Sequence, residues 1–194
     1  MTRVSLVTWP RSGKVHCRLH QLHQADAALY AAVARTGTPA LDRSMARLSD
    51  AANYSRLSIA SAAVLGAVGG ARGRRAARYG LASVTVTATI VNLAIKPLTS
   101  RRRPDRMAEG VPRDRHVRMP VSTSFPSGHS AAAFAFATGV GHVMPVAAIP
   151  LRLLATAVAY SRVHTGVHYP GDVVAGSLIG VTLAQVTNRA LDRR

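Results

Sequence analysis

Cysteine is all but missing from this 194-residue chain: Cys17 is the single one, which excludes an internal disulfide framework and a cysteine-built metal cage. Acidic residues number 8 against 25 Lys plus Arg, for a formal net charge of +17. Lysine is almost absent too, since Lys14 and Lys96 are the only two, so arginine abundance reflects a chain-wide habit and Lys96 stands out. Aromatic residues make up 5%. A nucleic-acid binder would interleave its basic residues with stacking aromatics on a soluble domain, and that class is set aside. The N-terminus shows no apolar core before a small-residue cleavage site, so no secretory signal is expected.

What is present is apolar sequence in blocks. Hydrophobic residues reach 48%, yet mean hydropathy is only +0.12, so apolar runs alternate with polar breaks. Residues 1–23 are polar and basic, with His16, His20 and His23 close together. Two amphipathic stretches follow, around Ala27–Arg35 and Ala40–Leu48, divided by Gly37-Thr38-Pro39. Asp26, Arg35, Asp42, Arg43, Arg47 and Asp50 are too frequent for lipid-facing spans, so these stretches are expected to be interfacial helices.

From Leu57 the chain becomes apolar. One run ends at the Arg72–Arg78 cluster, expected to form the turn to the next, and a second covers Leu81–Leu98 with Lys96 near its end. No Asp, Glu, Lys or Arg occurs from Met119 to Leu151; Pro145 and Pro150 are expected to divide this stretch and its continuation to Tyr160 into two helices. Val173–Asn188 forms the last run. The expected fold is all-α: a multi-span membrane bundle of about five transmembrane helices, with flanking arginines snorkelling to make up length. Gly66/Gly70 and Gly176/Gly180 offer small faces for close packing. The expected division is 1–53 as a polar, amphipathic N-terminal part and 54–194 as the membrane domain. A soluble helical bundle built on the same runs is the alternative.

Three polar clusters sit at the edges of these runs: Lys96 to Pro104, Phe125 to Ser130, and Ser161 to Asp172. If each run crosses once, connectivity alone brings all three to one face. Lys96, Arg103 and Arg162 supply a positive field suited to phosphoryl oxygens. Ser127 and Gly128 open a helix, where backbone N–H groups favour anions. His129 lies beside that pocket, placed to protonate a leaving oxygen. His168 and Asp172 are four residues apart, on one face if helical, so the carboxylate can orient an imidazole toward phosphorus. His164 is a rival to His168 on the same segment. Phosphoryl transfer asks mainly for positioning and charge stabilisation, so neither metal nor cofactor is required.

Taken together, Lys-x6-Arg-Pro, Pro-Ser-Gly-His and Ser-Arg-x5-His-x3-Asp, in this order over residues 96–172, resemble the signature of the type 2 phosphatidic acid phosphatase superfamily. That superfamily also includes class A acid phosphatases and vanadium haloperoxidases. The resemblance implies His168 as nucleophile, Asp172 as its orienting partner and His129 as acid. It implies Lys96, Arg103, Ser127, Gly128 and Arg162 as the phosphate cradle. The implied activity is metal-independent hydrolysis of a lipid phosphate or diphosphate, of prenyl or phosphatidate type, in a multi-pass cell-membrane protein. Its partners would be that substrate and membrane lipids.

Haloperoxidase relatives are soluble and much longer, and a non-catalytic lipid-binding or transport relative would have lost a cradle residue. A metal site on His16, His20 and His23 is the alternative from a different class, though the sequence offers it no other ligands. With five spans, basic residues are in excess on the site's face, which by the positive-inside rule favours a cytoplasmic site. A further crossing by the N-terminal stretch removes that excess.

Overall fold

Apolar runs interrupted by glycine, proline and arginine fold here into seven helices, seen in a computed structural model that describes residues 13–193, with side chains from residue 21 onward. They are α1 (Gly13–Arg35), α2 (Pro39–Ala51), α3 (Arg56–Val68), α4 (Gly70–Ile90), α5 (Gly128–Val143), α6 (Pro145–His164) and α7 (Pro170–Asp192). No strand occurs among the described residues, so the all-α expectation holds. His16 and His20 have side chains outside the described set. His23 meets the Tyr169 ring edge-on, with centroids 6.1 Å apart.

α5 is the centre of the bundle and packs against α4, α6 and α7, while α3 lies on α4. Small residues allow this. The core between α3, α4 and α5 joins Ala62, Ala76, Ala77, Val84, Ala132, Phe136 and Val140, with Phe136 as its one aromatic filler. Gly176 and Gly180 of α7 do what their spacing predicts. A Cβ at either would overlap the backbone oxygens of Ser127 and Ala131, so the two helices touch backbone to backbone.

The Gly66/Gly70 pair behaves differently. Gly66 faces open space, and Gly70 adopts φ +59 to turn the chain. Gly69 and Gly73 instead make the tight contact with Leu65, so α3 reverses into α4 at Gly69-Gly70. This corrects the placing of Arg72–Arg78 in a turn: they form the opening turns of α4, whose helix starts as soon as Gly70 has supplied the reversal. Pro145 begins α6 and Pro150 lies inside its first two turns, so only the first of them divides the apolar stretch.

Among the described residues, two stretches are long and apolar enough to cross a membrane, Gly70–Leu98 and Pro145–His164. At 1.5 Å per residue, the 13 residues of α3 and the 16 of α5 rise only about 20 and 24 Å. A hydrocarbon core is about 30 Å thick, which is why these two fall short by length.

The N-terminal helices use their charges inside the protein. α1 lays Tyr30 and Ala34 against Ala159, Val163 and Val173. The buried positions of α2 are polar, Asp42 and Ser49. Asp42 accepts from Arg115 Nε at 2.8 Å and lies 2.9 Å from His164 Nε2. Arg115 also donates to the carbonyls of Val33 and Ala34 in the last turn of α1 and of Thr36 just after it. One guanidinium thus caps α1 and anchors α2. Asp26 and Asp42, expected among the charges of interfacial helices, point inward.

Candidate active site

The three polar clusters do converge. α4 loosens into a π turn (Val91–Ile95) and a 3-10 turn (Lys96–Leu98), which carry Lys96 to the end of the bundle. The loop from Thr99 to Ser127 then folds back over that end. The Thr99 hydroxyl meets Phe125 O at 2.8 Å, and Ser124 N–H donates to Arg101 O at 2.9 Å, stitching the first cluster to the second. Ser127 N–H donates to Asp172 O at 2.9 Å, stitching the second to the third.

His168 and Asp172 are partners, though not as neighbours on one helical face. His168 precedes α7 in the 165–169 connection, and Asp172 is the third helical residue. There its carboxylate accepts the Tyr169 backbone N–H at 3.0 Å, closing the N-terminus of α7. The same oxygen, Oδ2, accepts from Ser124 Oγ and lies 3.5 Å from His168 Nδ1. Asp172 therefore fixes the helix start and faces the imidazole at once. On the other side, Arg103 Nη1 lies 3.2 Å from His168 Nε2 while donating to Val167 O at 2.7 Å.

His168 is 1% exposed. Burial lowers its pKa to about 4, with Arg103 and Arg162 adding to the fall and Asp172 opposing it. The ring is neutral at physiological pH, with a lone pair to offer.

Lys96 and Arg103 meet at Ser122: Lys96 Nζ donates to its hydroxyl at 3.1 Å, and Arg103 Nη2 approaches it at 3.3 Å. Gly128 adjoins the lysine, since a Cβ there would stand 3.7 Å from Nζ. Arg162 is buried and donates through Nη1 to Ser49 Oγ at 2.6 Å, while its Nε has no partner. Ser127 caps α5 with its hydroxyl, accepting from Ser130 N at 3.4 Å and Ser130 Oγ at 3.0 Å. His129 Nε2 lies 2.9 Å from Asn53 Oδ1 and lines a narrow crevice with Ser55, Ser58 and Ala133. His164 is removed from the set because it faces Asp42 in the Arg115 cluster.

Several partners were not anticipated from sequence: Ser122, Ser124 and Arg101 in the loop, and Asp26, Ser49 and Asn53 in the N-terminal helices and the turn after them. Spacing offers no signal for them, because each meets its partner only through the tertiary fold. Among the described residues no group of His, Cys, Asp and Glu is arranged to hold a metal ion.

Comparison with known proteins shows the family to which the chain belongs. A family model described as the PAP2 superfamily matches residues 77–194. A decaprenylphosphoryl-5-phosphoribose phosphatase of Mycobacterium tuberculosis, found in strains CDC 1551 and H37Rv, is 36% identical over 130 residues. The match covers 65% of this chain and 67% of that protein. Among solved structures, Aquifex aeolicus LpxE superposes with a TM-score of 0.67 at 23% identity, covering 84% of this chain and 94% of that one. The PAP2-type phosphatidylglycerolphosphate phosphatase of Bacillus subtilis superposes with a TM-score of 0.68 at 23% identity, covering 89% and 87%.

Proposed function

We propose, since the chain belongs to the PAP2 superfamily, that it is a multi-pass cell-membrane phosphatase acting on a prenyl-linked phosphate through a phosphohistidine intermediate. The observation that carries this reading is the imidazole of His168, held neutral with Asp172 at Nδ1 and Arg103 at Nε2. In the reaction proposed, Lys96, Arg103 and Arg162 take the phosphoryl oxygens, helped by backbone N–H groups at Ser127-Gly128. Nε2 of His168 attacks phosphorus in line, so that a P–N bond forms as the P–O bond breaks. His129 gives its proton to the leaving oxygen. Water then cleaves the P–N bond, returning a proton to His129 and releasing phosphate and neutral His168. Asp172 stabilises the imidazolium in between.

The membrane arrangement proposed is five spans, α3 to α7, with residues 54–194 as the phosphatase unit and residues 1–53 laid on its active-site end. The prenyl reading leans on the mycobacterial relative, whose name specifies a decaprenyl-linked phosphate. The crevice beside His129 shares Leu57 and Ser58 with a second crevice, which shares Ser61 and Leu151 with an apolar groove of about 350 Å³ between α3 and α6. We place the lipid tail along that path.

The test uses purified full-length protein in detergent, with excess EDTA, assayed for phosphate release from decaprenyl-linked and geranyl phosphate monoesters. Release is expected from both, with the lower KM for the longer chain. Activity that disappears with the chelator and returns with a divalent cation would sink the mechanism. Equal KM values would remove the tail assignment. Oxidation of bromide with vanadate and peroxide, without phosphate release, would replace the reading by a haloperoxidase.

A further inference from the structure

Asp172 has a second oxygen, and the residue that binds it, Arg101, fills none of the named signature positions. Arg101 Nη1 donates to Asp172 Oδ1 at 2.7 Å, and its Nη2 donates to Asp26 Oδ2 on α1. Asp26 Oδ1 in turn accepts the Gly171 backbone N–H at 2.7 Å. The Arg101 guanidinium stacks over the Tyr169 ring, with Cζ 4.4 Å from its centroid. Tyr169 itself packs edge-on against Tyr30 of α1 at 5.5 Å. Asp172 is fully buried and Arg101 only 23% exposed, so this pair is shielded from bulk screening.

We propose that Arg101 and Asp26 form a positioning pair that sets the orientation and effective charge of Asp172, making helix α1 part of the catalytic apparatus. The geometry explains why both members are present. A lone arginine on Oδ1 would fix the carboxylate but draw away the negative charge with which it supports an imidazolium on His168. Asp26 draws part of that positive charge back while holding the guanidinium in plane. It also ties down the backbone one residue before Asp172. Arg101 lies inside residues 77–194, the segment matched by the family model, and Asp26 lies outside it, so the pair joins that segment to helix α1.

This inference rests on His168 as the nucleophile, and its test separates the two. The charged and titratable groups facing the His168–Asp172 pair are Arg101 and Arg103 from the loop, Tyr169 at the start of α7, Lys96 in the 3-10 turn beyond α4, His129 on α5, Arg162 on α6 and Asp26 on α1. Removing the positive charge of Arg101 favours the protonated ring, whereas removing the negative charge of Asp26 disfavours it. The experiment is an NMR titration of histidine-labelled full-length protein in micelles, with the His168 signal identified by its loss in His168→Asn.

Arg101→Gln should raise the His168 midpoint by about one unit, and Asp26→Asn should lower it by less. The double variant should match Arg101→Gln, because Asp26 acts through Arg101. Arg101→Lys, the variant for use if the glutamine does not fold, should restore the midpoint without the two-sided bridge.

In assays, Arg101→Gln should lose roughly tenfold or more in kcat with KM within about twofold. Midpoints that stay fixed, or move the same way in both single variants, overturn the positioning pair. A wild-type protein that releases no phosphate overturns the nucleophile assignment, while the titration still decides the pair.

Discussion

Replacing His168 by Asn should reduce phosphate release by at least about 10⁴-fold, leaving the fold and thermal midpoint close to wild type. The size follows from the covalent role proposed: loss of a nucleophile removes the reaction path, and what survives is binding and electrostatic stabilisation alone. Asn keeps the planar, polar shape beside Asp172 and Ser124, so loss of activity cannot be put down to a collapsed core. Trapping labelled phosphate on wild-type protein by acid quench at early times, and its absence from the variant, checks the assignment directly. A variant with tenfold-reduced but clear turnover would move the nucleophile elsewhere.

The pH dependence carries the same logic. Attack needs the neutral ring, and burial holds the folded pKa near 4, below the ordinary value of 6.5. On acidification, kcat/KM governed by His168 should therefore persist through pH 6 and fall only near pH 4. Because the folded pKa is depressed, the unfolded chain takes up the proton first. The contribution of His168 to stability is thus lost as pH falls from 6.5 toward 4.

Arg115→Met is the second large effect, and it falls on stability. Arg115 is 0% exposed and shares Asp42 with His164, far from any motif. Removing the guanidinium leaves a buried carboxylate without its cation and uncovers the last carbonyls of α1. Breaking one side of a buried pair costs about 3–5 kcal/mol. At this chain length, that should lower the thermal midpoint by roughly 10 °C. Adding Asp42→Leu should recover much of the loss, since two apolar residues replace a buried pair at little net cost. Thermal unfolding in detergent of the single and double variants checks both statements. A single variant as stable as wild type would mean that the cluster carries no weight.

The comparison of sequence with structure divides along the range of the interactions. The convergence of the clusters that carry Lys96, Arg103, Ser127-Gly128, His129, Arg162, His168 and Asp172 was legible, because connectivity returns the helices to one face; the phosphate-binding and catalytic roles of these residues are the reading proposed above. The stacking of α7 on α5 was legible in Gly176 and Gly180. Arg115–Asp42 and Arg101–Asp26 were not, because their members are 73 and 75 residues apart and neither pair repeats a pattern. His168 and Asp172 had the right spacing for the wrong reason: the carboxylate closes a helix start, and the imidazole lies before it. The reversal at Gly69-Gly70 was misplaced because seven residues with four arginines look like a break, while helix propensity lets them begin α4.

The contact between Arg103 and His168 has a further meaning for selectivity toward reagents. In the proposed mechanism the attacking atom is Nε2 of His168, which lies 3.2 Å from Arg103 Nη1, and that guanidinium is among the groups proposed to receive the phosphate. On that proposal, an anion that draws Arg103 to itself frees the ring, so docking the substrate and arming the proposed nucleophile would be one movement. A neutral alkylating or acylating compound offers no such exchange and meets an imidazole already spoken for. The proposed site would in this sense be locked by the charge that its substrate brings.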